Sequence, residues 1–265
     1  MNNFHTHTYL CKHASGTPID YVKMAEKSNC TALGFSDHCP YPDNTWPQVR
    51  MKHTEINLYK KQVNEAKEVA NFPVYFGFEC EWLPRFKSWF SDVLIGEHGA
   101  EYLILGSHWV PIDNHLTYIF NVKKKTDLKN YIDLTIQGME TGLYKFLAHP
   151  DLFLGCVSNI DSYYLDLSKE LISAAVSLNI PLEINGNGAN RKKITRDGKL
   201  EYPYPVEAFW ELAGKSDATI IMSSDAHKPE TVIKDMNNAK EFADRLGLKI
   251  QNTAEVLGFD EKIIE

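Results

Sequence analysis

Seven short apolar runs, each leading into a histidine, carboxylate or amide, alternate along this chain with segments of helical period, and that alternation fixes most of what the chain can fold into. The runs are residues 1–4 before His5, 31–36 before Asp37 and His38, 73–78 before Glu79, 102–107 before His108, 145–148 before His149, 180–184 before Asn185, and 218–224 before Asp225 and His227. Helical patterns cover residues 18–29, 54–71, 126–141, 162–178, 205–215 and 229–246. Pro18 suits a first helical turn, where a missing N–H costs nothing. Near-continuous apolar strands alternating with helices predict a parallel sheet covered by helices, and seven units predict an α/β fold closed, or nearly closed, into a barrel. Functional side chains of such barrels sit at the carboxyl ends of the strands, so seven scattered tips are expected on one rim.

The tips are metal-like. His5-x-His7-x5-His13 follows the first run. Side chains alternate faces along a strand, so the His-x-His pair points two imidazoles the same way and both can reach one ion. With ten histidines in 265 residues, a chance occurrence of this triple is on the order of one per cent.

Composition fits one barrel domain over residues 1–265, with 43% hydrophobic and 24% charged residues and no linker, repeat or low-complexity tract. The first strand and its ligands begin at Asn2, leaving no room for a signal peptide, and no apolar run approaches membrane-spanning length; a cytoplasmic protein with no membrane partner is expected. Five cysteines without framework spacing fit a reducing compartment, and the lack of Cys-x-x-Cys excludes a zinc finger. Cys11, Cys39 and Cys80 neighbour candidate ligands, yet packing is the expected role of such thiols. A net charge of −7 disfavours a nucleic-acid partner, which needs clustered Lys and Arg. The short run Lys123 to Lys125 reads as a solvated helix entrance. Oligomeric state is not encoded legibly.

Together the motifs resemble the polymerase and histidinol phosphatase (PHP) superfamily, and within it the monofunctional histidinol-phosphate phosphatases. The likeness covers essentially the whole chain. It rests on His5-x-His7-x5-His13, Ser36-Asp37-His38, Gly77-Phe78-Glu79, Gly106-Ser107-His108, Ala148-His149-Pro150-Asp151-Leu152, Leu182-Glu183-Ile184-Asn185 with Arg191 following, Tyr202-Pro203-Tyr204-Pro205, and Ser224-Asp225-Ala226-His227. The resemblance implies a distorted (β/α)7 barrel with the active site at the carboxyl ends of the strands. It also implies three divalent metal ions (zinc, iron or manganese): one held by His5, His7, Glu79 and Asp225, a second by Glu79, His108 and His149, and a third by His13, His38 and His227. Glu79 would bridge the first two, and Glu79, Asp225 and His227 would be catalytic. His53, His98 and His115 are left over as surface or loop residues. The implied reaction is hydrolysis of L-histidinol phosphate, a step of histidine biosynthesis, by a metal-bridging hydroxide.

The chemistry has its own physical logic. Phosphate monoesters hydrolyse extremely slowly unaided, and lowering the pKa of bound water from about 15.7 to about 7 is worth roughly 12 kcal/mol in hydroxide availability. Three divalent ions against two carboxylates leave a cationic site that suits a phosphate ester. Arg191, Arg196, Arg50 and Arg85 follow strand tips and are candidates for the substrate phosphate, Arg191 foremost, because an arginine fork binds phosphate bidentately; Lys87 lies among them. Trp46, Trp82, Phe86 and Trp109 could stack on the substrate ring. Asp37 and Asn185 are expected to hold ligands or waters by hydrogen bonds, and Glu183 to be their buried partner; Asp151 either does likewise or caps a turn. Another PHP phosphoesterase, acting on nucleotides or phosphotyrosine proteins, is the main alternative. A metal-dependent amidohydrolase would want a bridging lysine at the fourth strand, and no tip offers one. A non-catalytic binding module fits poorly with a complete ligand set.

Overall fold

The computed structural model describes residues 1–113 and 115–262. Its main sheet has seven parallel strands in chain order: β1 (Asn2–Asn3), β2 (Ala32–His38), β3 (Val74–Cys80), β4 (Tyr102–Gly106), β5 (Leu147–Ala148), β6 (Leu182–Asn185) and β7 (Ile220–Ser223). All seven apolar runs thus become strands. The sheet closes on itself just beyond its outer strands, where Thr6 bridges Ala226 in parallel, Asp225 N–H donates to the His5 carbonyl (2.9 Å), and His7 N–H donates to the Ala226 carbonyl (3.0 Å). The contacts that shut the barrel therefore also fix His5, His7 and Asp225.

The helices are α1 (Pro18–Ala25), α2 (Ile56–Val69), α3 (Leu128–Glu140), α4 (Ser162–Leu178), α5 (Glu207–Gly214), α6 (Val232–Leu246) and α7 (Thr253–Leu257). Asp20 accepts from the Thr17 N–H (2.8 Å) at the start of α1, and Asp161 caps α4 by accepting from Tyr163 N–H (3.0 Å). Along α2, Ile56, Tyr59, Val63 and Ala66 recur at spacings of three and four and are buried. Tyr59 also locks that helix to the barrel: its hydroxyl donates to the Gly77 carbonyl (3.2 Å) and accepts from Asp37 N–H (3.1 Å).

Inside the barrel a small cluster of Phe4, Tyr102, Ile104, Phe146 and Ile221 lies beneath the tips, and α7 closes it from the strand-start end with Ala254 and Leu257. Phe259 stacks on Phe4 at 5.2 Å, while Gln251 and Lys262 N–H groups donate to the Ile220 and Thr31 carbonyls. Truncating a ring packed like Phe4 costs about 3–5 kcal/mol. This plug was not expected from the sequence. Nor were the π-helical segment Trp89–Glu97 and two hairpins, Trp109–Ile112 with His115–Tyr118 and Ile194–Arg196 with Lys199–Glu201. Among the described residues, no helix is long and apolar enough to cross a membrane. The five cysteines are free, and only Cys156 is exposed.

Candidate metal centre

The strand tips converge on one cavity of about 450 Å³, whose lining includes His13, His38, Glu79, His108, Asp225 and His227. His5 and His7 lie beneath it, fully buried. Their Nε2 atoms face each other at 3.1 Å and approach Asp225 Oδ1 at 3.4 and 3.1 Å. Glu79 divides its carboxylate between two groups. Oε1 faces His149 Nε2 (2.9 Å) and His108 Nε2 (3.7 Å), whereas Oε2 faces His38 Nδ1 (2.8 Å), His7 Nε2 (3.5 Å) and His5 Nε2 (3.6 Å). On the open side His227 Nε2 lies 3.1 Å from His13 Nε2.

Local backbone choices make this possible. A Cβ on Gly106 would lie 2.0 Å from Glu79 Oε1, so only glycine leaves room for the carboxylate to lie across β4. His149 and Asp225 both have positive φ (32° and 52°), a conformation that costs non-glycine residues on the order of 1–3 kcal/mol and that collects at functional sites.

The electrostatics are those of a cation site. Burial opposes charge on His5, yet the carboxylates of Glu183, Asp225 and Glu79 push its pKa well up. Burial and neighbouring His227 lower His7 to about 3. Burial also opposes ionised Glu79, but His38, His108 and His5 hold it well below the carboxylate range; Asp225 is held down likewise by His5 and His7. The Nε2 atoms of His5 and His7, and those of His13 and His227, lie 3.1 Å apart, near enough for each pair to share a proton or a cation. Glu79 Oε2 and His38 Nδ1, although 2.8 Å apart, are not aligned as a hydrogen bond, and each is buried with no other partner. Donor atoms of His5, His7 and Asp225, of Glu79, His108 and His149, and of His7, His38 and His227 each gather within 4.8 Å, and these donor sets fit divalent cations.

Donor atoms of His13 gather with those of His227 and Cys11, and the His13 ring stacks on that of His38 at 5.1 Å. Cys11, expected to pack, is fully buried, and burial raises its thiol pKa far above the usual value.

Around the centre, Glu183 accepts from His5 Nδ1 (2.8 Å), His149 N–H (3.0 Å) and Asn185 (3.0 Å), and Asn185 also donates to Asp225 (3.2 Å). Burial raises Asp37 to about 7; it accepts from the Thr8 N–H (2.9 Å) and hydroxyl and stands 3.8 Å from His7 Nδ1. Asp151 neither holds an imidazole nor caps a local turn: it accepts from Val206 N–H (2.5 Å) and Trp210 Nε1 (3.0 Å), tying the loop after β5 to the start of α5. Glu81 was missed, although Glu79-x-Glu81 at a strand end puts both carboxylates on one face.

The candidate cations separate sharply. Arg191 lines the cavity beside Tyr118 and Tyr204. Arg196 does not reach the site: it is buried, and its guanidinium donates to the carbonyls of Val157, Tyr202, Leu154 and Pro203 and to Glu201 at 3.0–3.2 Å. Four fixed acceptors on converging loops attract a planar fork more strongly than an open cavity does. Arg85 is exposed over Phe86 and faces Asp43 at 3.6 Å, outside the cavity, and Lys87 is likewise exposed. Arg50 reaches the cavity wall but is engaged from behind by Glu81. Trp109 lines the cavity and stacks on Trp46 (4.7 Å), whereas Trp82 and Phe86 are buried in the outer core. His53, His98 and His115 join none of the donor groups.

Comparison with known proteins agrees with this picture. A probable histidinol-phosphatase of Deinococcus radiodurans is 25% identical over 244 residues, covering 86% of each chain. Among solved structures, a Listeria monocytogenes protein named as a candidate histidinol phosphatase matches with a TM-score of 0.71 at 15% identity, covering 91% of this chain and 99% of that one. A histidinol phosphate phosphatase of Lactococcus lactis, solved with zinc, L-histidinol and phosphate, matches with a TM-score of 0.68 at 15% identity and covers 94% of both chains. The model of the PHP domain family matches residues 3–187, more than half of the sequence, and the chain therefore belongs to the PHP domain family.

Proposed function

We propose that this chain is a metal-dependent phosphomonoesterase that hydrolyses L-histidinol phosphate to L-histidinol and phosphate, the whole chain acting as one barrel domain. The observation that carries the reading is Glu79, whose two oxygens face two separate groups of imidazoles on the floor of one cavity. In this reading His5, His7, Glu79 and Asp225 hold one divalent ion, Glu79, His108 and His149 a second, and His13, His38 and His227 a third. Zinc, iron and manganese all suit such mixed imidazole and carboxylate donors. Bound there, the ions would supply an activated water at neutral pH and absorb charge on the phosphate oxygens.

The remaining work falls to the chain's own side chains. Arg191, at the cavity wall, binds the phosphate dianion, and an acidic protein needs such a local cation. Trp109 offers a flat face for the substrate's imidazole ring. The names of the Deinococcus and Lactococcus proteins, and the L-histidinol and phosphate in the latter, support this substrate class. Phosphate release should be measured over phosphorylated amino alcohols, nucleotides and phosphotyrosine peptides. Highest kcat/KM on L-histidinol phosphate is the expected result; preference for nucleotides or peptides would leave the chemistry standing and replace the substrate.

A further inference from the structure

Glu81 lies two residues beyond Glu79, on the same side of the chain, and is buried. Its Oε1 lies 2.5 Å from His108 Nδ1, and its two oxygens accept from the His108 backbone N–H at 3.1 and 2.9 Å. Nδ1 also lies 3.2 Å from the Gly106 carbonyl, which can only accept, so Nδ1 of His108 carries a hydrogen shared with two acceptors, and Nε2, 3.7 Å from Glu79 Oε1, is the ring nitrogen placed for a cation. The backbone of Glu81 is itself pinned, because its N–H donates to the Tyr41 hydroxyl (3.2 Å) and its carbonyl accepts from that hydroxyl (2.9 Å).

Arg50 stands behind Glu81. Its Nη2 lies 3.6 Å from Glu81 Oε1, its Nη1 donates to the Cys39 carbonyl (3.2 Å), and its guanidinium faces the rings of Tyr41 (5.2 Å) and Trp46 (5.0 Å). A guanidinium held this way is a fixed counter-ion for a buried carboxylate.

We infer that Glu81 is a positioning residue which sets the tautomer and direction of His108 for metal binding, with Arg50 as its counter-ion and not a contact for the substrate phosphate. The inference rests on reading His108 as a metal ligand. Loss of a carboxylate partner to a metal-binding histidine typically weakens metal affinity by about 10- to 100-fold.

The test uses the protein as purified, challenged with graded chelator, with metal retained per chain measured by mass spectrometry. Glu81→Gln should release one ion per chain at about 10- to 100-fold lower chelator concentration than wild type. Glu81→Asp keeps the charge facing Arg50 but withdraws the acceptor from His108, and should fall between the two. Excess divalent metal should restore turnover in both variants, which a purely architectural role would not allow. Should Glu81→Gln fail to fold, Glu81→Asp decides alone. Wild-type metal retention in the folded variants, or failure of both to fold, overturns the inference. Because the readout is metal, a wild-type protein that ignores L-histidinol phosphate would refute the proposed substrate and leave this result intact.

Discussion

Oε1 of Glu79 lies 2.9 Å from Nε2 of His149, while the other oxygen of the same carboxylate is turned to a different set of imidazoles. One side chain thus serves both halves of the buried centre. Glu79→Gln is expected to lose metal from both halves and to lower kcat by about a thousandfold or more, roughly 4 kcal/mol, while circular dichroism stays that of a folded barrel. Three retained ions with near-normal turnover would contradict the bridge.

His13 is exposed on a loop, and its Nδ1 is tied only to the Cys11 carbonyl at 2.8 Å. Its removal should therefore empty the outer position without disturbing the Glu79 groups. His13→Ala is expected to lower metal content by about one ion per chain. Loss of all metal together, or of none, would speak against an independent outer position.

The barrel was legible because its strands are short, apolar and punctuated by polar tips, and the tips were legible because histidine is rare enough for its spacing to carry information. His5, His7 and Glu79 could be placed on the rim from their position at the ends of apolar runs, with period-2 alternation turning the His5 and His7 rings to one side. Arginines were not legible in this way. Arg191 and Arg196 follow the same strand at similar distances, and only the folded loops show that carbonyls of residues far along the chain enclose the second and leave the first at the cavity. The barrel plug escaped because α7 spans only Thr253–Leu257, too short for a clear helical period. The second hairpin had a readable signal, the Asp197-Gly198 pair with φ of 48° and 79°, which suits a two-residue hairpin turn.

Gly106 offers a test of the site's crowding. An added methyl would overlap Glu79 Oε1 and must displace it. Gly106→Ala is expected to cost about 1–3 kcal/mol in stability by overpacking and to reduce bound metal, read by denaturant unfolding and elemental analysis of the same sample. Unchanged metal content would show that the carboxylate has room to shift.

Arg196 should behave as an architectural residue. Replacing it by methionine removes the guanidinium that joins four loop carbonyls and Glu201, and a loss of about 3–5 kcal/mol is expected. The KM of the folded fraction should stay unchanged. A normal unfolding midpoint with a raised KM would return Arg196 to the substrate.

Arg191 should behave in the opposite way. It lines the cavity beside Tyr204 and is itself exposed, so its loss is expected to cost little stability. Arg191→Ala is expected to lower kcat/KM for L-histidinol phosphate by about 2–3 kcal/mol, the worth of a charge-assisted bidentate contact, with KM carrying much of the change. Metal content and the unfolding midpoint should match wild type. Turnover of p-nitrophenyl phosphate, an activated ester that depends less on placement, should fall less. Equal losses on both esters would mean that the arginine acts on the phosphate group alone and does not align the leaving group; unchanged kinetics on both would remove Arg191 from the substrate site and turn attention to Tyr118 and Trp109 on the same wall.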